Sequence, residues 1–357
     1  MSHTSEPTVH PAALLSLPKA ELHLHIEGTL EPELILELAA RNGITLPHPT
    51  LEVLREQYEF SDLQSFLDLY YANMAVLITE ADFADMTRAY LARARDSGVR
   101  HAEIMFDPQA HAARGIELST AVNGIAAALA SSEAEFGIST VLIAAFLRDE
   151  TEESALEVLE ALLAMRAPIT GIGLDSAEVG HPPSKFIRLY KRAAEAGLRL
   201  TAHAGEEGPP SYVEDALNLL GVERIDHGIR AVEDRILVKR LVREQVPLTV
   251  CPLSNVRLRA VDTLAAHPLP QMISAGLNVC INSDDPAYFG GYVGANFDAM
   301  AAEFAWDAAT AELLAGNSIR SSFAPDARKD ALLAELAEWS TAHGTDLDPG
   351  QGAARES

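Results

Sequence analysis

The sequence predicts a closed (β/α)8 barrel of parallel strands, with a helical insertion after the first strand. Short β-branched or apolar runs alternate with helical stretches of about a dozen residues, which is the pattern of βαβ units. Eight such units follow one another, and their strands read as apolar on both faces, which favours a closed barrel over an open doubly wound sheet. No predicted strand is followed by a glycine-rich phosphate loop.

The first predicted strand, residues 21–27, reads Glu-Leu-His-Leu-His-Ile-Glu. Alternate side chains of an extended strand share a face, so its two histidines are expected to point the same way as its two glutamates. The other seven strands are predicted at residues 99–106, 139–147, 169–175, 199–204, 224–226, 247–251 and 278–282.

Residues 29–97, between the first two strands, are predicted to be helical almost throughout. Several helices exceed what one crossover needs, so part of this insertion is expected to fold over the site as a lid or pocket wall. Its apolar side chains could face the pocket, the core or a partner subunit, and the core is the default expectation. The helices are predicted at residues 31–42, 51–58, 62–77 and 81–96, and the side chains are Phe60, Phe66, Leu67, Tyr70 and Tyr71.

The barrel is predicted to occupy residues 17–340. Residues 1–16 are polar and contain prolines, so they are expected to form a loose lead-in or a short cap. The last segment, residues 341–357, is polar and rich in glycine, and it is predicted to be disordered.

Acidic side chains outnumber basic ones by 52 to 27, which gives a formal net charge of -25. Such a chain repels phosphate backbones, which argues against a nucleic-acid substrate. The N-terminal residues lack the pattern of a signal peptide, and no run reaches membrane-spanning length. Cys251 and Cys280 lie in strand-like runs and are expected to be free thiols. We therefore expect a cytoplasmic protein that acts on a small molecule; the sequence does not indicate its oligomeric state.

Ligand-type residues gather where the predicted strands end. In a (β/α)8 barrel the carboxyl ends of the strands meet at one mouth, where the active site lies. Five such ends would bring their side chains into a single site, which packing alone does not explain. These ends are residues 23–27, 175–178, 203–206, 226–228 and 283–286.

A metal site is predicted from three histidines and one aspartate. His23, His25, His203 and Asp284 form a mixed nitrogen and oxygen set that suits zinc and leaves a position for water. Asp284 is assigned to the metal because it shares the strand parity of the preceding buried residues. Its neighbour Asp285 points elsewhere and is left for the substrate.

Hydrolysis at an electrophilic carbon is the reaction class that such a site indicates. One metal ion is expected, since residues 175–178 contain no lysine that could bridge a second; iron stays open as an alternative to zinc. His227 could hold the water and take its proton, and Glu206 could protonate a ring nitrogen if burial keeps it protonated. Each residue taken singly could be structural, but beside the metal set the catalytic roles are favoured.

The residues at the strand ends form five motifs: His23-Leu24-His25-Ile26-Glu27-Gly28, His203-Ala204-Gly205-Glu206, Arg224-Ile225-Asp226-His227-Gly228, Cys251-Pro252-Leu253-Ser254-Asn255 and Ser283-Asp284-Asp285-Pro286. Together, over residues 17–317, they resemble the adenosine and adenine deaminase family of the amidohydrolase superfamily. The resemblance implies a barrel with one zinc ion and a hydroxide that attacks C6 of a 6-aminopurine, displacing ammonia. It also implies that Glu206 donates a proton to N1 and that His227 assists the water. Asp284 would be ligand and base, and Asp285 would bind N7.

Two positions depart from the nucleoside deaminases and look like the free-base members of the family. Glu27 stands where the nucleoside enzymes usually have an aspartate that meets the ribose, and Glu178 stands where they have a glycine. A free adenine offers a ring N–H that a carboxylate can accept, whereas a nucleoside has a sugar there. The resemblance therefore implies that Glu27 and Glu178 contact the substrate. The expected reaction is hydrolysis of free adenine to hypoxanthine and ammonia, a step of purine salvage.

Other functions stay open at this point. An N6-substituted adenine, such as a cytokinin-like base, fits because the motifs fix the purine ring but not the room beside its amine. Adenosine is disfavoured by Glu27 and Glu178. A metal-binding barrel without catalysis is disfavoured by the complete set of acid and base residues, and a phosphoesterase by an acidic mouth without basic groups for phosphate. The motif of the zinc deaminases that act on nucleic acids is absent.

Overall fold

The computed structural model describes residues 9–47, 50–58, 60 and 63–343, and it confirms the predicted fold class. Eight strands lie in chain order in one sheet, each parallel to the next. The strands are β1 Lys19–Glu21, β2 Val99–Phe106, β3 Ser139–Leu147, β4 Ile169–Asp175, β5 Arg199–Ala204, β6 Arg224–His227, β7 Leu248–Val250 and β8 Val279–Ile281. β2 to β5 have the predicted bounds, and β6 to β8 differ by one residue at one or both ends.

β1 is shorter than predicted. The strand was expected over residues 21–27, but regular pairing with β2 ends at Glu21, and only Leu24 and His25 continue as single bridges. Ile26 already has helical backbone angles, with φ -65° and ψ -35°, and Glu27–Thr29 form a turn of 3-10 helix. Glu27 therefore leaves the strand and is not on a continuous face with the two histidines.

The barrel closes where β8 meets the chain that follows β1. The backbone N–H of Asp284 donates to the carbonyl oxygen of His23 at 3.1 Å, and that of His25 donates to the carbonyl oxygen of Asp284 at 3.0 Å. Asn282 Oδ1 accepts a further bond from the backbone N–H of Leu22 at 2.7 Å. The segment that carries the predicted metal ligands is thus also the seam between the first and last strands.

Helices surround the barrel and connect its strands, as the βαβ pattern predicts. Among the described residues, none of them combines the length and the apolar character that crossing a bilayer requires. The α-helices are α1 Pro11–Ser16, α2 Pro32–Asn42, α3 Leu51–Gln57, α4 Leu63–Asn73, α5 Glu80–Asp96, α6 Pro108–Ala113, α7 Leu118–Phe136, α8 Glu152–Ala164, α9 Ile187–Glu195, α10 Pro210–Asp215, α11 Arg235–Glu244, α12 Pro252–Arg257, α13 Leu269–Ser274, α14 Pro286–Phe289, α15 Val293–Phe304, α16 Ala308–Ser321 and α17 Asp326–His343. Shorter helical turns are Met74–Val76, Pro183–Phe186, Ala216–Leu220, Ile229–Glu233 and Leu264–Ala266.

Helices α2 to α5 lie between β1 and β2, where the helical insertion was predicted. Local signals explain their ends. At the start of α5 the Thr79 hydroxyl accepts from the backbone N–H of Asp82, whose carboxylate accepts from the backbone N–H of Thr79, which is a capping box. α2 ends before Gly43, whose φ of +65° is the left-handed conformation that glycine adopts without strain.

The two ends of the chain are more ordered than the sequence predicts. α1 shows that part of the predicted lead-in is a packed cap, because Leu14 is fully buried and the backbone N–H of Val9 donates to the carbonyl oxygen of Trp306 at 2.9 Å. α17 runs to His343, so residues 341–343 of the predicted tail are helical. Residues 1–8 and 344–357 lie outside the described part of the chain.

Candidate active site

Four ligand atoms converge at the carboxyl end of the barrel. His203 Nε2 lies 3.0 Å from His23 Nε2 and 3.2 Å from His25 Nε2. Asp284 Oδ1 lies 3.3 Å and 3.5 Å from the same atoms of His23 and His25. A tetrahedral site with zinc bonds of 2.0–2.1 Å has edges of roughly 3.3 Å, so this spacing matches a single zinc ion. The structure therefore brings together the four ligands predicted from the sequence.

The backbone delivers these atoms from three strand ends. His203 is the fifth residue of β5, while His23 and His25 lie on either side of the seam bond to Asp284. Asp284 has a φ of +65°, an unusual conformation for a residue other than glycine. Such conformations persist where the surrounding structure fixes them and concentrate at functional sites. Here it turns the side chain of Asp284 toward the histidines.

Each ligand histidine has an oxygen near its other ring nitrogen, Nδ1. His23 Nδ1 lies 3.3 Å from the carbonyl oxygen of Thr249, and His25 Nδ1 lies 3.4 Å from Asp175 Oδ2. His203 Nδ1 lies 3.7 Å from Asp226 Oδ2. His203 Nδ1 is therefore within reach of the charge of Asp226 but has no hydrogen-bond partner, whereas an oxygen acceptor beside Nδ1 of His23 and His25 favours a proton there and leaves the Nε2 lone pair for a metal ion. The donor set therefore fits a metal ion bound through three Nε2 atoms.

Asp284 is held as a carboxylate. Burial alone would raise its pKa, but the charge and hydrogen bond of His23 and the charges of His227 and His25 lower the pKa well below its usual value. Its second oxygen, Oδ2, accepts a hydrogen bond from Ser254 Oγ at 2.6 Å. Asp284 can therefore bind a cation through Oδ1 and accept a proton at Oδ2.

His227 lies next to the metal cluster as a neutral imidazole. Its Nε2 is 3.8 Å from Asp284 Oδ2, and Asn255 Nδ2 lies 3.1 Å from its Nδ1. His267 Nε2 lies 3.3 Å from Asn255 Oδ1, which fixes the orientation of the amide so that Asn255 donates to Nδ1. Burial, followed by the neighbouring His23, lowers the pKa of His227 to about 3. The single proton of the ring is therefore on Nε2, which faces the site.

The surroundings of Glu206 favour the protonated form of its carboxyl group. Burial raises its pKa well above the usual value, and the charges of Asp284 and of neighbouring carboxylates act in the same direction. Glu206 Oε2 lies 3.4 Å from His227 Nε2, while Oε1 is buried without a hydrogen-bond partner in the structure. A protonated carboxyl with a free oxygen is suited to donating a proton to a bound molecule.

A cavity of about 40 Å³ lies beside His25. Such a volume holds on the order of a few water molecules. The insertion supplies part of the cavity wall through α4. Three aromatic side chains of the insertion that were expected to face the core instead line the cavity: Phe66, Tyr70 and Tyr71. Three carboxyl groups also line it: Asp107, Asp175 and Asp285.

The two glutamates that were predicted to meet the substrate are bound to protein groups. Glu27 Oε1 lies 2.7 Å from His111 Nε2 and accepts from the backbone N–H of Asp107, while Oε2 has no partner. Both oxygens of Glu178 accept backbone N–H groups of residues 205–208. Neither residue lines the cavity beside His25. Their predicted contacts with a base remain predictions.

Two residues of this region were given no role by the sequence. Asp107 directly follows β2, so its place at a strand end is a signal that could have found it; Tyr70 donates to its Oδ2 at 3.3 Å. Asn255 belongs to one of the five motifs, but its role depends on the contact with His227, which the motif does not show. Both side chains are buried, and one oxygen each of Asp107, Asp175 and Asp285 lacks a hydrogen-bond partner.

The fold and this cluster define a metal-dependent enzyme built on a (β/α)8 barrel. The chain belongs to the adenosine deaminase family, whose model matches residues 18–339. It is 63% identical over 314 residues to the adenine deaminase of Streptomyces coelicolor, an alignment that covers 88% of this chain and 92% of the relative.

Solved structures agree with this assignment. An adenine deaminase from Arthrobacter aurescens superposes with a TM-score of 0.90 and 71% identity, covering 91% of this chain and 99% of that one. An amidohydrolase from Burkholderia ambifaria with bound zinc has a TM-score of 0.85 and 28% identity, covering 97% and 98% of the two chains.

Proposed function

We propose that this chain is an adenine deaminase, which hydrolyses free adenine at C6 to hypoxanthine and ammonia with one zinc ion per subunit. The convergence of three Nε2 atoms and Asp284 Oδ1 beside the buried Glu206 carries this proposal. The choice of adenine as the base is supported by adenine deaminases whose sequences are more than 60% identical to this chain over the aligned residues.

His23, His25, His203 and Asp284 would hold the zinc ion, because their ligand atoms have the spacing that one ion requires. A bound zinc ion would make a water molecule nucleophilic at neutral pH and polarise the site. Asp284 Oδ2, which accepts a hydrogen bond from Ser254, would be the group placed to take up a proton released at the site.

The remaining groups act on the purine. Glu206 donates its proton to N1, which draws electrons from C6 and makes that carbon more electrophilic. His227 donates from Nε2 and orients the attacking water. Burial, followed by the charge of Asp284, raises the pKa of Asp285 well above its usual value, so its protonated carboxyl can donate to the acceptor N7.

Selectivity for the free base rests on the carboxylates around the cavity. Asp107 and Asp175 each have an unpartnered oxygen there, and Glu27 keeps Oε2 unpartnered nearby. A free adenine can supply an N–H to such an acceptor, whereas a ribose would leave carboxylates unpaired against a bulky group. The crowded wall formed by α4 adds a steric limit.

The test is the loss of purine absorbance with adenine, adenosine and N6-isopentenyladenine, measured side by side on enzyme of known zinc content. Fast conversion of adenine and slow conversion of the other two is the expected result. A preference for adenosine would overturn the argument from ribose exclusion, and a preference for the substituted base would assign the chain to deamination of N6-substituted adenines.

A further inference from the structure

We propose that Glu178 is a positioning residue whose carboxylate holds the loop Gly205–Gly208 and so fixes Glu206, the proton donor. This inference rests on the proposed function, since Glu206 is the proton donor only if the chain is a deaminase. It assigns to Glu178 a role that differs from the base contact predicted from the sequence.

The loop directs four consecutive backbone N–H groups at one carboxylate. Glu178 Oε1 accepts from Gly205 at 2.7 Å, and Oε2 accepts from Glu206 at 3.0 Å, Glu207 at 2.9 Å and Gly208 at 2.7 Å. Successive N–H groups that converge in this way form a nest, which is a recurrent binding concavity for an anion. Here the anion belongs to the protein, and Glu178 is only 2% exposed.

The other side of the loop is held by Arg230. Its backbone N–H donates to the carbonyl oxygen of Gly205 at 2.9 Å, and its guanidinium donates to the carbonyl oxygen of Glu207. Bonds from both sides leave the backbone of Glu206 little freedom. Its side chain alone is free to meet a substrate, since Oε1 has no partner.

The charge of Glu178 is compensated inside the protein. The buried guanidinium of Arg148 lies close enough to interact with it, and Arg148 Nη1 donates to the carbonyl oxygen of His203 at 2.8 Å. Charge-assisted bonds to backbone N–H groups are among the strong hydrogen bonds of proteins. The loop makes four bonds to this carboxylate, three of them to Oε2 and one to Oε1, so both oxygens of Glu178 are bound by the loop.

A purely structural role for Glu178 and a positioning role differ in one measurable respect. If Glu178 acts through Glu206, substitution of Glu178 causes no further loss of kcat in a variant whose residue 206 has no carboxyl group. If it only stabilises the barrel or the metal site, its effect persists in the absence of the acid. A double-mutant cycle separates the two cases.

The experiment measures kcat and KM for adenine in the wild-type chain, Glu178→Gln, Glu206→Gln and the double variant, each loaded with zinc and shown to be folded by circular dichroism. Displacement of a catalytic group by about 1 Å costs on the order of a hundredfold, so we expect Glu178→Gln to lower kcat by about 10- to 100-fold. KM and zinc content should stay near wild type, and the double variant should match Glu206→Gln within about twofold. A wild-type kcat in Glu178→Gln, or additive losses in the double variant, would overturn the inference.

A second variant perturbs the same contact from the loop. A Cβ on Gly208 would lie 2.6 Å from Cδ and Oε1 of Glu178, so Gly208→Ala should displace the carboxylate. We expect the same loss of kcat and the same non-additivity with Glu206→Gln. If Glu178→Gln does not fold, this variant decides, and a wild-type kcat in it would overturn the inference.

Glu152→Gln is the matched control. Glu152 Oε1 also accepts two backbone N–H groups, from Arg188 at 2.6 Å and Leu189 at 3.1 Å, but it holds the start of α9 away from the metal cluster. Its kcat should equal that of the wild type, and an equal loss in the control would show that the effect is not specific to Glu178. Absence of adenine turnover by the zinc-loaded wild-type chain would overturn the proposed function itself, and with it this inference.

Discussion

Gly28 lies directly against the side chain of Asp285. A Cβ on Gly28 would come within 2.0 Å of Asp285 Oδ1 and within 2.6 Å of its Cβ and Cγ, distances that real Cβ atoms do not show. A glycine is required here because the turn that follows the two histidines packs closely against the turn that follows β8. The glycine of the first motif thus makes room for the proposed N7 donor.

Gly28→Ala should therefore displace Asp285 and weaken substrate binding. We expect KM for adenine to rise by about tenfold or more, which is the size of effect that loss of one hydrogen bond to a charged or polar group produces. Zinc content should be unchanged. The control is Gly173→Ala in β4, where the nearest atoms to a new Cβ are 3.8 Å away. Equal KM values for wild type and Gly28→Ala would contradict this account.

Removal of the metal ion should abolish turnover and lower the melting temperature. The cluster joins β5 to the seam between β1 and β8, so a bound ion stabilises the folded state over the unfolded one. Chelation followed by readdition of zinc should remove and restore both activity and melting temperature. His25→Ala should reduce bound zinc well below one ion per subunit. Full activity at a small fraction of one ion per subunit would rule out the metal-dependent mechanism.

Glu206→Gln should lower activity strongly and yet stabilise the protein at neutral and higher pH. The loss of a positioned general acid lowers kcat by about a hundredfold or more. Burial raises the pKa of Glu206 in the folded state above its ordinary value of 4.5. Between those two pKa values the folded state binds a proton that the unfolded state has released, so the wild type loses stability as pH rises through this window.

Because glutamine does not titrate, the difference in melting temperature between Glu206→Gln and the wild type should grow as the pH rises above the ordinary pKa of a glutamate. Glu160→Gln provides the comparison: hydrogen bonding to Arg192 lowers the pKa of the exposed Glu160, and its substitution should give no such growth. A difference that shrinks as pH rises would contradict the buried, protonated state of Glu206.

Asn255→Asp should reverse the tautomer of His227. The amide of Asn255 donates to Nδ1 at 3.1 Å, whereas a carboxylate there would accept a hydrogen bond from Nδ1–H, so the ring proton would lie on Nδ1 and Nε2 would have none. We expect kcat to fall by about 10- to 100-fold with zinc content retained. Nitrogen NMR of the labelled imidazole reports the tautomer directly. If the variant keeps the wild-type kcat and the proton on Nε2 of His227, Asn255 does not set the tautomer of that ring.

The sequence predicts most of the fold because the signals involved are local. β2 to β5 have the predicted bounds, since each is a short run of mainly apolar or β-branched residues between helical stretches. The opening segment was predicted to be one strand through Glu27, and this was wrong beyond Glu21. The backbone there alternates its bonds between Asp284 on one side and Met105 on the other, and this pattern depends on barrel closure.

The metal ligands could also be predicted from the sequence, because strand ends converge in any barrel. His203 and Asp284 are placed near each other by that rule. The direction in which a side chain points at such a strand end does not follow from the sequence. Glu178 follows the end of β4, and only the tertiary structure shows that it binds the loop Gly205–Gly208. Asn255 presents the same difficulty, because its importance comes from a ring that lies on another strand.

The seam at Asp284 also constrains how the molecule is made. During synthesis His23 and His25 leave the ribosome long before Asp284, whose backbone and side-chain groups emerge only after β8. A nascent chain therefore carries a histidine pair that lacks its fourth ligand until nearly the whole barrel has been translated. Tight capture of the metal ion and circular closure of the barrel become one late event, so a truncated product would have neither.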